Sequence, residues 1–172
     1  MSEVGLLCEA PSARRYQWAV GADARRLLSL LSLDHCELSL VLTSDALIQE
    51  LNRTFRGKDC ATDVLSFPQL DGDGASPSLS PAAMPAPLGD VVISIETALR
   101  QARRLGVPLK ERLRTLLIHG VLHLLGYDHE KSPAEARRMF AYERALAAKL
   151  SIDRRSPFRP SSVPLLPTTR RL

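Results

Sequence analysis

His119-Gly120-Val121-Leu122-His123-Leu124-Leu125-Gly126-Tyr127-Asp128-His129 gathers three of the chain's four histidines into one short stretch. Leu113, Leu116, Leu117, Val121 and Leu124 fall at helical spacing, which predicts a helix over residues 110–125 with the first two histidines near its end. His119 and His123 are four apart on that helix, so their Cβ atoms are neighbours at about 5–6 Å and both rings reach one ion. If the helix ran straight on to His129, the third ring would lie about 9 Å further along the axis. Gly126 removes that obstacle, because glycine takes the left-handed conformation that ends a helix and folds residues 127–129 back. Three neutral imidazoles with an open fourth position make a catalytic rather than a structural zinc site. One zinc per chain is the leading expectation, and nickel or iron would also fit. His35, beside Asp34 and far from this stretch, is expected at the surface.

Outward from the histidines, the flanking sequence alternates helices and strands. Residues 23–33 place Leu27, Leu28, Leu30 and Leu31 at helical spacing, and residues 37–43 set Leu38, Leu40 and Leu42 against Ser39 and Val41 as a strand does. Ser44 or Asp45 caps a helix over 46–55. A short strand over 63–67 stops at Pro68, and a β-branched run over 90–95 has the character of a central strand. Residues 97–105 form a helix closed by Gly106 and Pro108. Ser132, Pro133 and Glu135 supply the cap, first-turn proline and capping-box acid of a last helix that runs to about Leu150. Residues 71–88 carry four prolines and no apolar period, which predicts a mobile loop whose composition favours a plain linker over a functional lid. Residues 154–172, with four prolines and five arginines, are expected to be a disordered basic tail. The expectation is a single domain over 1–153.

Of the 172 residues, 45% are hydrophobic and 24% charged, an ordinary globular composition. No apolar run approaches the roughly 20 residues of a membrane span. Residues 1–10 include Glu3 and Glu9 and lack the basic and apolar regions of a secretory signal, so a soluble cytoplasmic protein is expected. Cys8, Cys36 and Cys60 form no C-x-x-C pair and are expected to be reduced. The net charge of +4 favours polyanionic partners without deciding for them.

The histidines and Gly126 match the zinc-peptidase pattern H-E-x-x-H-x-x-G-x-x-H except that Gly120 stands where the glutamate base belongs. Peptide hydrolysis would then need another carboxylate, such as Asp63 or Asp90, each equally placed to cap or turn the chain. A phosphodiester remains open as a target, since zinc lowers the pKa of bound water to about 7 and polarises phosphoryl oxygens. The cation that such chemistry needs is available in Arg53, Arg56 and Lys58. By spacing alone Arg56 is a solvated helix-end residue. Asp128 either orients an imidazole or helps the turn. Arg100, Arg103, Arg104, Lys110, Arg112 and Arg114 either track a phosphate backbone or, by default, form a solvated helical face.

Four blocks together resemble the YbeY family of endoribonucleases: the histidine stretch; Leu51-Asn52 with Phe55-Arg56 and Asp59; Thr62-Asp63-Val64-Leu65-Ser66-Phe67-Pro68; and Leu88-Gly89-Asp90. The resemblance runs from about Leu38 to Leu150. It implies an α/β (α+β) fold, a small mixed four-stranded sheet packed with about five helices around a zinc-peptidase-like site. It also implies zinc on His119, His123 and His129 and a catalytic Arg56; Arg53 and Lys58, from the same cationic stretch, are the candidate RNA contacts. The implied activity is single-strand-specific cleavage in late ribosomal RNA processing, at the 16S 3′ end, and in ribosome quality control. Ribosomal RNA, small-subunit ribosomal proteins and an assembly GTPase are the implied partners. Ala61 departs from the family's usual proline, and the insert and tail are longer than the family leads one to expect. The competing readings are a non-catalytic assembly factor with a structural metal, and a metal-dependent hydrolase of another class.

Overall fold

The computed structural model describes residues 3–69 and 86–152. Along the chain these form β1 (Glu3–Cys8), α1 (Arg14–Leu30), β2 (Cys36–Thr43), α2 (Asp45–Arg56), β3 (Val64–Pro68), β4 (Ala86–Ser94), α3 (Ile95–Leu105), α4 (Leu109–Leu124) and α5 (Pro133–Ile152). The strands lie in the order β1-β2-β4-β3, with β1, β2 and β4 parallel and β3 antiparallel on the edge beside β4. The α+β architecture with a mixed four-stranded sheet is thus the observed one.

Strand alternation sorts side chains to the two faces of the sheet. Leu38, Leu40, Leu42, Val91 and Ile93 pack with α1, α4 and α5 into the main core. Val92, Leu65 and Phe67 face the other way and pack with Ile48 and Leu51 of α2. Arg114, expected on a solvated face, is buried in α4. Its guanidinium donates to Asp23 of α1 at 3.1 Å and to Ser151 of α5 at 2.9 Å. Such a pair ties three helices together, and losing one partner would strand a buried charge at a cost of about 3–5 kcal/mol.

Several boundaries depart from the sequence expectation. The first helix begins at Arg14, because the 3-10 turn Pro11–Ala13 launches it, and ends at Leu30, not 33. Ser32, at φ 59°, reverses the chain so that Leu31 and Leu33 fill the core from a turn. The strand β1 was not expected: its half-buried Val4, Leu6 and Cys8 gain partners only by pairing with β2. The loop expected to reach residue 88 ends earlier, since β4 already begins at Ala86. Pro87 is tolerated because the β2–β4 register shifts there: Glu37 pairs with Pro87 and Leu38 with Gly89, so Leu88 is the extra residue of a bulge. The rest of the insert, and the basic tail, lie outside the described residues. Among the described residues no helix is long and apolar enough to cross a membrane.

Candidate metal centre

The last turns of α4 carry His119 and His123, and the chain then turns sharply. Gly126 has φ 87°, the Gly126 N–H donates to His123 O, and the Tyr127 N–H reaches back to Leu122 O at 3.1 Å. This hydrogen-bonded reversal satisfies carbonyls that the helix end would otherwise leave open. It returns His129 to the other two rings, whose centroids are 5.2 Å (His119) and 5.3 Å (His123) away. One ligand atom from each histidine lies within 4.8 Å of the others.

The protonation pattern suits a cation. From α5, Glu143 places Oε1 2.5 Å from His119 Nδ1, where it accepts the Nδ1–H. In a neutral ring a proton on Nδ1 leaves the Nε2 lone pair facing inward, and this atom lies 3.0 Å from His123 Nε2. Two ring nitrogens so close need a proton or a metal between them. Ligands about 2.0–2.1 Å from a tetrahedral zinc sit about 3.3 Å apart, close to this separation. Burial, and then the neighbouring His119 and His129 rings, hold the His123 pKa below the ordinary histidine value, favouring the neutral form that a metal requires. Phe140 stacks on His129 at 5.7 Å and 23°, and the Tyr127 ring lies 5.8 Å from that of Tyr142, so α5 also braces the turn.

Other sequence candidates fall into different roles. Asp128 Oδ1 accepts the Glu130 N–H at 2.8 Å, so it shapes the turn, and the carboxylate bonded to a ring is Glu143. Asp63 is occupied as well: its oxygens accept from the Val64 N–H, from Gln101 at 3.0 Å and from Arg112 at 3.3 Å. Asp90 accepts from Gln69. Arg100 pairs with Asp45 at 2.7 Å, so Arg100, Arg112 and Arg114 serve the fold, while Arg103 and Arg104 are exposed. His35 is half-buried just before β2, where its carbonyl accepts the Ala86 N–H, and it takes no part in the triad.

Arg53, Arg56 and Lys58 are all exposed at the end of α2 and have no ion-pair partner among the described residues. Asn52 holds this end in place: it is buried, and its Nδ2 donates to Cys60 O at 2.9 Å while its backbone carbonyl accepts the Lys58 N–H. Phe55 meets Phe67 of β3 edge-on, with ring centroids 5.1 Å apart. The preceding residue, Ser66, donates to Gly120 O at 3.0 Å on the opposite side of that strand. The end of α2 and the histidine helix are therefore both docked on β3.

A sequence profile described as Endoribonuclease YbeY matches residues 16–151. The chain belongs to the YbeY family. It is 48% identical over 118 residues to the Endoribonuclease YbeY of Persephonella marina, covering 69% of this chain and 72% of the relative. With that of Aquifex aeolicus the identity is 47% over 128 residues, covering 74% and 79%. A Thermotoga maritima protein solved in solution superposes with a TM-score of 0.60 at 24% identity, over 88% of this chain and 91% of that one, a likeness of fold.

The YbeY glycine at position 120 also has a structural reason here. A Cβ built on Gly120 would lie 2.6 Å from Val91 Cγ1 and 3.2 Å from Ser66 Oγ. Position 120 faces the sheet at a contact closer than any side chain permits, so a glutamate there would push α4 off β4. Glu143 is the site residue that sequence reasoning missed. Its signal was only an acid on a helix following the third histidine, which many surface residues share.

Proposed function

We propose that this protein is a metal-dependent, single-strand-specific endoribonuclease that holds one zinc ion on His119, His123 and His129. The observation that carries the proposal is the convergence of the three imidazoles, with Glu143 fixing the tautomer of His119 so that its Nε2 faces the other rings. A bound divalent ion supplies Lewis acidity and an activated water at a phosphodiester. The relatives' name, Endoribonuclease YbeY, supports RNA as the substrate. The packing of Gly120 against Val91 supports a site without the peptidase base.

The chain's own residues divide the remaining work. Arg56 binds and orients the scissile phosphate through its bidentate fork, and Arg53 and Lys58 hold neighbouring phosphates. Their exposure and lack of acidic partners among the described residues support this assignment. Glu143 keeps a proton on His119 Nδ1. The family resemblance further supports late-stage ribosomal RNA processing at the 16S 3′ end and ribosome quality control in the cytoplasm, with small-subunit ribosomal proteins and an assembly GTPase as partners.

The test is metal content by mass spectrometry on wild-type and His123→Ala protein, followed by incubation with single- and double-stranded RNA, with and without chelator. One zinc per chain, with single-strand cleavage abolished by chelator, by His123→Ala and by Arg56→Ala, is the expected result. Zinc without cleavage would favour a structural metal in an assembly factor.

A further inference from the structure

Phe55 is 64% exposed, yet it is a large apolar ring in the last turn of α2. Its contact with Phe67 is edge-to-face at 67°, which occupies only part of the ring pair and leaves much of Phe55 open. Folding does not require this: the small core beneath α2 is already filled by Ile48, Leu65 and Val92, with Leu51 and Phe67 packed against it. Arg53 and Arg56 suit the negative end of the helix dipole, so their presence alone points to no ligand. An exposed phenyl ring between Arg53 and Arg56 does, because the helix dipole gains nothing from it.

The geometry points to Phe55, backed by Phe67, as a stacking platform for a base of single-stranded nucleic acid whose phosphates engage Arg53, Arg56 and Lys58. Base stacking on an aromatic ring beside a cationic track is how single strands are held without sequence preference. Two acids adjoin these residues in sequence or register, and each is oriented by an amide: Asp59 accepts from Gln49 at 3.0 Å, and Asp90, the β4 partner of Phe67, accepts from Gln69 at 3.2 Å. Phe67 adjoins Ser66 in β3, and Ser66 contacts the histidine helix at Gly120 from the opposite side of that strand. A strand stacked on Phe55 is therefore held beside the same edge strand that α4 packs against. A duplex, whose bases are already stacked, cannot use the ring, so the platform gives a physical basis for single-strand preference. This inference rests on the endoribonuclease reading and adds a base contact to it.

The experiment uses the zinc-loaded full chain and a fluorescein-labelled, hydrolysis-resistant single-stranded adenosine 12-mer, with binding followed by anisotropy. Inorganic polyphosphate serves as a polyanion without bases. Phe55→Ala is expected to weaken the 12-mer roughly 5- to 150-fold, the range of stacking losses per base, and to leave polyphosphate binding unchanged. Phe55→Trp restores affinity, whereas Phe55→Leu, which keeps an apolar contact with Phe67 but no ring, stays weak. The slope of log affinity against log salt is unchanged in Phe55→Ala and falls by about 0.7 in Arg56→Ala, since only the latter gives up a phosphate contact. Wild-type affinity in Phe55→Leu, or an equal loss for polyphosphate, would overturn the platform while the nuclease stands. A wild-type chain that neither binds nor cuts single-stranded RNA would overturn the nuclease and the platform with it.

Discussion

Glu143 shows how one side chain settles the state of another. Its carboxylate accepts the His119 Nδ1–H, so the ring is held in one tautomer and one orientation before any ion arrives. Removing a partner of this kind ordinarily lowers metal affinity about 10- to 100-fold. Glu143→Ala is expected to weaken zinc by that range in competition with a chromophoric chelator, and Glu143→Gln, whose amide oxygen can still accept the proton, by less. Equal zinc affinity in all three proteins would remove Glu143 from the site. The three histidines were legible in the sequence because their relation is local, an i, i+4 pair and a glycine turn. Glu143 was not, because nothing distinguishes it from Glu135 or Glu130 until α5 docks. Asp128 was an equally reasonable candidate for the role, but its carboxylate turns back to the Glu130 N–H.

The docking of α4 on the sheet depends on Gly120. With a Cβ at 2.6 Å from Val91 Cγ1, Gly120→Ala forces α4, β4 or the Val91 side chain to shift, and overpacking of this kind costs about 1–3 kcal/mol. Chemical denaturation should show that loss, and the double variant Gly120→Ala, Val91→Ala should recover part of it by clearing the clashing methyl. If the double variant shows only the sum of two independent losses, the close approach is not what Gly120 serves. Elements with their own start and stop signals were legible: Ser44 caps α2 through its side chain, and Gly106 ends α3 where expected, although α3 starts at Ile95 with Ser94, read as part of the strand, as its cap. Elements defined by distant partners were not. β1 is an edge strand with one packed face, and the first turns of α1 carry the exposed Trp18 where an apolar stripe would have announced a helix. The start of β4 was hidden by Pro85 and Pro87, which belong to loops by composition, although the bulge at Leu88 accommodates Pro87 in the strand.

The molecule joins these parts through α5, which meets the histidine site near its middle and the Arg114–Asp23 pair near its C-terminal end. Glu143 touches His119, Phe140 stacks on His129, and Ser151 accepts from Arg114. A zinc ion on three histidines would therefore bind the folded arrangement and not the unfolded chain, and its affinity would appear as stability. At a free zinc concentration 100 times the dissociation constant this linkage is worth about 2.7 kcal/mol. For a chain of this size, at about 2–4 °C per kcal/mol, zinc should raise the melting temperature by about 5–10 °C. The rise should depend on zinc concentration and vanish in His129→Ala, which removes the ligand that the Gly126 turn brings back. Hydrogen exchange then locates the effect. Chelation should speed exchange over residues 126–143, the turn and the first half of α5, while β2 and β4 keep their protection because their core is closed without the site. Uniform loss of protection across β2, β4 and α5 would instead mean that the metal holds the whole domain together, as in a structural zinc protein, and that the histidine site is not a local addition to a finished fold.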